Sequence, residues 1–492
     1  MLRVQSAGYQ WFISFCAGSL ISLAPLSAFG AESARLDRFQ HINLEDTVES
    51  VSYVAADNDL ESFYTLDKPS TFLYDLQIFR RVSLYGQQGY VADESTGPLA
   101  CEFPDGTQPG VYSRLAVSPD RRWVALVYRR GAYYPEDWTD SIIRVYILDL
   151  EAPDRECSLT ELLEIPAGLS AEPTFSHNSN YLYINLPYAG FPSENPMWNL
   201  SAGRLYQYGV NGAGEWTIQG TAGQLFDGQL NRNAGFATSF AVSDDDMVRA
   251  FYTPVRRIRE SEDTRGITSR LGFLPEEAFR NPSYYGISIV AAGTHHFFQL
   301  PMENIDAYYE QELYSDSDIG RLLDMSSDGS IVVFAYSDMT PQYSVLRGIA
   351  TYSLSQGAWS QSIQPLDLKS CIAPSGIGSS WAADVVLSDD GNRLAILAAG
   401  NGPNSPGICL YTRSDNQWIP LAATSQSIST QLQTVGFSNP VSRQLLADDD
   451  LSRLLIQFNA LLLQVDLTWE EEAEDQSGLP IWLLYEASRS DN

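Results

Sequence analysis

One pattern recurs along this chain: an apolar run, a short turn rich in Ser, Ala, Asp and Asn, and a second apolar run. RLAVSPDRRWVALVY from Arg114 shows it in full. PTFSHNSNYLYINL from Pro173, SFAVSDDDMVRAFYT from Ser239, LLDMSSDGSIVVFAY from Leu322 and DVVLSDDGNRLAILA from Asp384 repeat it. SVSYVAADNDLESFYTL from Ser50 and QLLADDDLSRLLIQF from Gln444 are blurred copies at the two ends, as terminal repeats tend to be. Asp, Asn and Gly suit such turns because their side chains bond nearby backbone or tolerate a positive φ. The turn positions Ala56, Ser118, Ser176, Ser243, Ser326, Ser388 and Ala447 fall 58 to 67 residues apart, with one interval of 83. Two packed β-sandwiches would not explain one turn returning at so even an interval.

A third apolar run follows most copies: IIRVYILDL (142–150), GRLYQYGV (203–210), GISIVAAG (286–293), GIATYSL (348–354), GICLYTR (407–413) and ALLLQVDL (460–467). A fourth is visible in ELLEIP (161–166), QWIPLAA (417–423) and PIWLLYEA (480–487). Four antiparallel strands repeated seven times predict an all-β chain, a seven-bladed β-propeller of four-stranded antiparallel blades over residues 48–487. A blade buries its faces only against its neighbours, and a closed ring limits exposed edges. The apolar fraction of 44% and aromatic fraction of 12% are ample for seven such interfaces. Two closures are open: LPIWLLYEA completes the last blade from the C-terminal side, or RFQHINL (38–44) adds an outer strand from the N-terminal side.

Residues 1–30 read as a secretory signal, with Arg3, an apolar stretch over 11–25, and small residues at Ala28, Gly30 and Ala31. A leader of 31–47 and a tail of 488–492 would flank the ring. The expectation is an exported protein, periplasmic or secreted, with no membrane span after signal removal. The net charge of −31, from 61 acidic against 30 basic residues, argues against nucleic acid as a partner. Binding nucleic acid depends on cations meeting phosphates.

The pattern S-P-D-x-x-W-V-A-L-V-Y resembles the TolB-like and WD-repeat-like β-propellers, which carry SPDG before an apolar strand. Only the copies at Leu322–Tyr336 and Asp384–Ala398 keep the Asp-Gly pair, and the Gly-His and Trp-Asp dipeptides of the WD repeat are not in register. The resemblance implies the fold and export. It also implies that the Asp turns share one face, while the second-to-third-strand connections and the links between blades share the other. By that strand order Cys371, in a link between blades, and Cys409, opening the next third strand, lie near one rim, which implies a Cys371–Cys409 disulfide. Cys101 and Cys157 are left unassigned. Members of this broad group include protein-docking modules and the non-catalytic halves of serine peptidases.

Chemistry-bearing motifs are scarce. No G-x-S-x-G, H-E-x-x-H, C-x-x-C or G-x-x-x-x-G-K-[ST] occurs. Adjacent His295 and His296 on a strand would point to opposite faces, a poor chelate. DSDIG (316–320) and the DDD runs at 244–246 and 448–450 offer oxygens without the spaced set and closing Glu of a calcium loop. They read as solvated turns, so no cofactor is expected beyond weak calcium sites, and no carboxylate pair can be selected among 61 acids.

Three second-to-third-strand connections are long and aromatic: GAYYPEDWTDS (131–141), PYAGFPSENPMWNLSAG (187–203) and an insertion over about 254–285. They suggest a binding patch of Tyr133, Tyr134, Trp138, Tyr188, Trp198, Arg256, Arg257 and Arg259, since Arg, Tyr and Trp anchor interfaces most often. The bland alternative is aromatics packing the loops onto the ring and arginines pairing with nearby acids. The reading that follows is a non-catalytic interaction module for a protein, or less favourably a glycan. Its rival is a hydrolase or lyase using carboxylates or a metal in the channel.

Overall fold

The computed structural model describes residues 32–42, 51–67, 73–84, 87–92, 99–102, 114–130, 142–151, 160–166, 171–186, 204–221, 239–256, 283–300, 322–340, 343–365, 380–400, 407–434, 443–458 and 461–471. Strand β1 (Glu32–Ile42) comes first in the chain and belongs to the last blade. Blade 1 is β2 (Val51–Ala56), β3 (Ser62–Asp67), β4 (Leu73–Leu84) and β5 (Gln87–Ala92), with β6 (Leu99–Glu102) pairing the start of β4. Blade 2 is β7 (Arg114–Val117), β8 (Trp123–Arg130), β9 (Ile142–Asp149) and β10 (Thr160–Pro166). Blade 3 is β11 (Glu172–Phe175), β12 (Tyr181–Leu186), β13 (Arg204–Val210) and β14 (Trp216–Thr221). Blade 4 is β15 (Phe240–Val242), β16 (Val248–Arg256), β17 (Ser283–Ala291) and β18 (Thr294–Gln299).

Blade 5 is β19 (Leu323–Met325), β20 (Ile331–Thr340), β21 (Tyr343–Ser355) and β22 (Ala358–Pro365). Blade 6 is β23 (Ser380–Leu387), β24 (Arg393–Gly400), β25 (Gly407–Ser414) and β26 (Gln417–Pro420). After helix α1 (Ala422–Thr434), blade 7 takes β27 (Arg443–Ala447), β28 (Arg453–Phe458), β29 (Leu461–Glu471) and, outermost, β1. Every pairing is antiparallel; blades 1 to 6 run as meanders from inner to outer strand, and blade 7 does so up to β29, beyond which β1 is added. Inner strands of successive blades meet, β2 with β7, β7 with β11, β15 with β19, β19 with β23, and β23 with β27. The fold is a seven-bladed β-propeller.

The core lies between blades. Ala55 and Tyr64 of blade 1 pack on Leu115 and Leu126 of blade 2, and Trp123 and Val127 on Phe175 and Leu182 of blade 3. Ile289 of blade 4 packs with Phe334 of blade 5, Val333 with Ile396 of blade 6, Leu397 with Leu454 of blade 7, and Leu455 with Phe63 back in blade 1. The junction of blades 3 and 4 differs among the described residues. There Tyr183 meets Phe240 with ring centroids 5.2 Å apart, Arg249 lies over the Tyr183 ring, and Asp246 takes bonds from Asn178 and the Tyr183 hydroxyl.

Two elements refine the sequence reading. Residues 32–42, placed within a leader of 31–47 while 38–44 was held open as an outer strand, are the outermost strand of the last blade: β1 pairs β29 from Glu32↔Glu471 to Ile42↔Leu462. Ring closure therefore comes from the N-terminal side, while 480–487 lies outside the described residues. QWIPLAA is strand only to Pro420, after which α1 begins. Because β26 pairs only Tyr411–Ser414, half of β25 lacks a fourth strand, and α1 supplies the acceptors. Ser425 Oγ accepts the Leu410 N–H at 2.9 Å and Ser429 Oγ the Ile408 N–H at 3.2 Å. Ile428 and Leu432 are buried beneath them.

Candidate functional site at the turn-face mouth

The recurring turn is built the same way in each blade. Its Ser Oγ–H donates to the Asp or Asn two residues on, at 2.5 Å for Ser118–Asp120, 2.8 Å for Ser176–Asn178, 2.7 Å for Ser243–Asp245, 2.8 Å for Ser326–Asp328 and 2.6 Å for Ser388–Asp390. The same Oγ accepts the N–H of the residue five on, which opens the second strand. Blades 1 and 7 replace Ser by a carboxylate, Asp57 and Asp448, which accept the Ser62 and Arg453 N–H groups. These side-chain bonds satisfy the orphan backbone groups of a tight turn.

The fourth turn residue is left-handed in all seven blades: Leu60, Arg121, Ser179, Asp246, Gly329, Gly391 and Leu451, with φ between 49° and 69°. In each case it meets the preceding blade. Arg121 Nε reaches Asp57 at 2.6 Å, Ser179 Oγ accepts the Asp120 N–H, and Asp246 takes Asn178. Leu451 and Leu60 are fully buried in the seams before them. A Cβ on Gly329 would lie 2.8 Å from Val248 Cβ, and one on Gly391 2.5 Å from Ile331 Cδ1, so those two seams admit only glycine.

The second turn residues are Asn58, Pro119, His177, Asp244, Ser327, Asp389 and Asp449, and all but Pro119 are seen to contact another of the set from a different blade, which marks the mouth of the ring on the turn face. Backbone bonds chain these turns together. The Asp244 N–H donates to Ser327 O, Ser327 N–H to Asp389 O and Asp389 N–H to Asp449 O, at 2.8 to 3.0 Å. His177 Nδ1 lies 3.0 Å from Asn58 Nδ2 and 3.4 Å from Asp244 Oδ1. Four blades thus contribute His177, Asp244, Asp389 and Asp449 to one electrostatically coupled group.

Burial, and then the charge of Asp244 on Asp389 and of Asp389 on Asp449, push these two carboxyls up to about 6, and burial raises Asp244 against the pull of His177. Asp390, one residue after Asp389, goes the other way. Burial opposes its charge too, but bonds from Ser388 Oγ and the Asn392 N–H hold it below the ordinary carboxylate range. Asp328 behaves alike, held down by Ser330 and Ser326. Within an Asp-Asp pair the second builds the turn, and the first carries a charge the turn does not use. Among the described residues, no three His, Cys, Asp or Glu side chains converge as a metal site would.

The sequence reading treated 244–246 and 448–450 as solvated turns and selected no acid. Superposing the seven copies was the available signal, because ring symmetry brings one register position to one place. Of the loop patch, Arg256 is the last residue of β16, at the face opposite the turns. Tyr133, Tyr134, Trp138, Tyr188, Trp198, Arg257 and Arg259 lie outside the described residues, as does Cys371, while Cys409 is buried within β25. His295 and His296 occupy β18, and burial pulls His295 down to about 4.

No protein-family model and no curated protein matches the sequence. Similar solved structures include a candidate 6-phosphogluconolactonase of Bacteroides uniformis, 12% identical, covering 76% of this chain and 84% of that one with a TM-score of 0.40. A chain of the mitotic checkpoint complex is 9% identical over 93% and 98%, TM-score 0.41. The propeller domain of the trilobed protease of Pyrococcus furiosus is 11% identical over 86% and 99%, TM-score 0.37. By its strand order this chain has the β-propeller fold. Likeness at that level extends no activity to it.

Proposed function

We propose that this propeller is an exported, non-catalytic binding module that takes a basic protein segment at its turn-face mouth. The observation behind the reading is that three blades bring the electrostatically coupled Asp244, Asp389 and Asp449 together beside His177, with carboxyls pushed upward by burial and by one another's charge. A lysine or arginine of a partner would relieve that repulsion. The net charge of −31 would steer basic partners toward it. Exposed Met247, beside Asp244–Asp246, would give such a segment an apolar contact. The loop residues Tyr133, Tyr134, Trp138, Tyr188, Trp198, Arg256, Arg257 and Arg259 are proposed as a further contact area. A Cys371–Cys409 disulfide, in keeping with export, is proposed to pin blade 6.

The test is calorimetric titration of hexalysine into the protein at pH 7.5 and low salt, beside the Asp244→Asn, Asp389→Asn, Asp449→Asn triple variant. At least a tenfold loss of affinity in the variant is expected. Equal binding by both, or none by either, would overturn the reading. One observation favours a second reading: carboxyls near 6 are also matched to general acid–base work in a hydrolase or lyase. Turnover of a screened substrate lost in the same variant would move the conclusion there.

A further inference from the structure

The mouth contains its own titratable base. His177 presents a single ring nitrogen, Nδ1, to two neighbours of opposite demand. Asn58 Nδ2, from the turn of blade 1, lies 3.0 Å away and donates, which requires the lone pair on Nδ1. Asp244 Oδ1, from the turn of blade 4, lies 3.4 Å away and accepts, which requires a proton on Nδ1. One nitrogen cannot satisfy both at once: the neutral ring with its proton on Nε2 takes the Asn58 bond, whereas the imidazolium can only donate to Asp244.

The surroundings make that choice consequential. The charged groups facing the imidazole are Asp244 and its turn neighbours Asp245 and Asp246 on blade 4, Asp389 across the mouth on blade 6 and Asp449 on blade 7. From blade 1 comes Asp59, which Arg121 of blade 2 already engages at 3.6 Å. Arg121 is also held by Asp57, and Arg249 attracts the Asp246 carboxylate. His177 moreover bridges the junction of blades 3 and 4, where bonds to Asp246 accompany the Tyr183–Phe240 ring contact.

We propose that His177 is a built-in, proton-operated competitor for the basic ligand of the mouth: neutral, it bonds Asn58 and leaves Asp244 to the ligand; protonated, it takes Asp244 itself. The proposal rests on the binding reading above and deepens it with a mode of regulation, release of the ligand in acid. One N–H bond forms at Nδ1 with a proton from solvent, and apart from that only hydrogen bonds change.

Two measurements separate this inference from the reading it rests on. The first is the proton NMR titration of the His177 ring between pH 5 and 8, assigned with His177→Gln, in the wild type, Asn58→Ala and Asp244→Asn. Asn58→Ala is expected to titrate at higher pH than the wild type, having lost the bond to the neutral ring. Asp244→Asn is expected to titrate at lower pH, having lost the partner of the charged ring. Coincident curves for all three would overturn the switch whether or not any ligand binds. The second is hexalysine affinity at pH 8 and pH 5.5. The wild type is expected to lose tenfold or more, and His177→Gln to lose several-fold less, with equal losses refuting the competition. Absence of hexalysine binding at either pH would strike the binding reading alone and leave the ring titration to decide the switch.

Discussion

Which aspartate of a turn builds it and which is spare can be tested by stability against pH. Asp389 and Asp449 carry folded-state pKa values of about 6 against an ordinary 3.8. Between about pH 4 and 6 the folded protein therefore holds more protons than the unfolded chain, and stability from these groups falls as pH rises through that window. Asp389→Asn with Asp449→Asn should thus raise the urea midpoint at pH 7 and leave it unchanged at pH 4. The gain should be on the order of 1 kcal/mol, since both groups are half exposed and solvent screens the full shift. His295 works with the opposite sign, its contribution being lost as pH falls from about 6.5 toward 4, but it is common to both proteins and cancels. A midpoint lowered at pH 7 by the two Asn substitutions would refute this assignment. Asp390→Asn should instead destabilise at pH 7, because Asp390 anchors Ser388 and the Asn392 N–H. Gly391→Ala adds a methyl against Ile331 in a left-handed turn, and should cost about 1–3 kcal/mol in the same urea assay. The glycines at 329 and 391 could be read from the sequence as turn formers. That the other five turns hold non-glycine residues left-handed could not, because those side chains are stabilised by the blade before them.

Strands were readable here because each inner strand pair repeats one chemistry. RLAV, then a Ser-x-Asp turn, then WVALVY says the same thing as LLDM, SSDG and IVVFAY. Helix α1 was not. AATSQSISTQLQT offers only Ile428 and Leu432 as a buried stripe, and its Ser and Thr content disfavours helix by competing for backbone bonds. What calls for a helix there is non-local: β26 stops at Pro420, and the Ile408 and Leu410 N–H groups need acceptors that Ser429 and Ser425 provide. Ser425→Ala with Ser429→Ala should leave two buried donors unsatisfied and cost about 2–5 kcal/mol together. Amide exchange at Ile408 and Leu410 should accelerate well beyond that of Leu394 and Ile396 on the neighbouring strand. Uniform exchange across β24 and β25 would show that the hydroxyls do not matter. The candidate site lay between these cases. Its residues were visible as acidic turns, and their convergence required knowing that one register position from four blades meets at the mouth.

A ring of repeats fails or holds at its closure, and here the closing strand and the blade it completes lie at opposite ends of the described chain. β1 is fixed at several points. Arg393 of blade 6 forms a two-point bridge to Glu32 at 3.0 Å, stacks on Trp469 and bonds Asp450 O, so one guanidinium joins blade 6 to both ends of blade 7. Thr412 and Thr424 add bonds to Glu32 and Ala34 O, and Leu36 and Phe39 pack on the blade 6–7 core while Ile42 seals the seam to blade 1. Removing residues 1–42 would strip β29 of its partner along the whole register from Leu462 to Glu471 and expose a flat apolar edge, which pairs readily with other chains. The chain starting at residue 43 should therefore associate on size-exclusion chromatography and unfold at a lower urea concentration. A synthetic peptide of residues 32–42 added in trans should restore both the monomer and the midpoint, since the groove it fills is otherwise intact. Arg393→Ala in the full-length protein should reproduce part of the loss, by about 1–3 kcal/mol, through an unpaired Glu32 and a loosened Trp469. A truncated chain that stays monomeric with an unchanged midpoint would mean that the ring is held by its seven seams alone and that β1 is an ornament on the last blade.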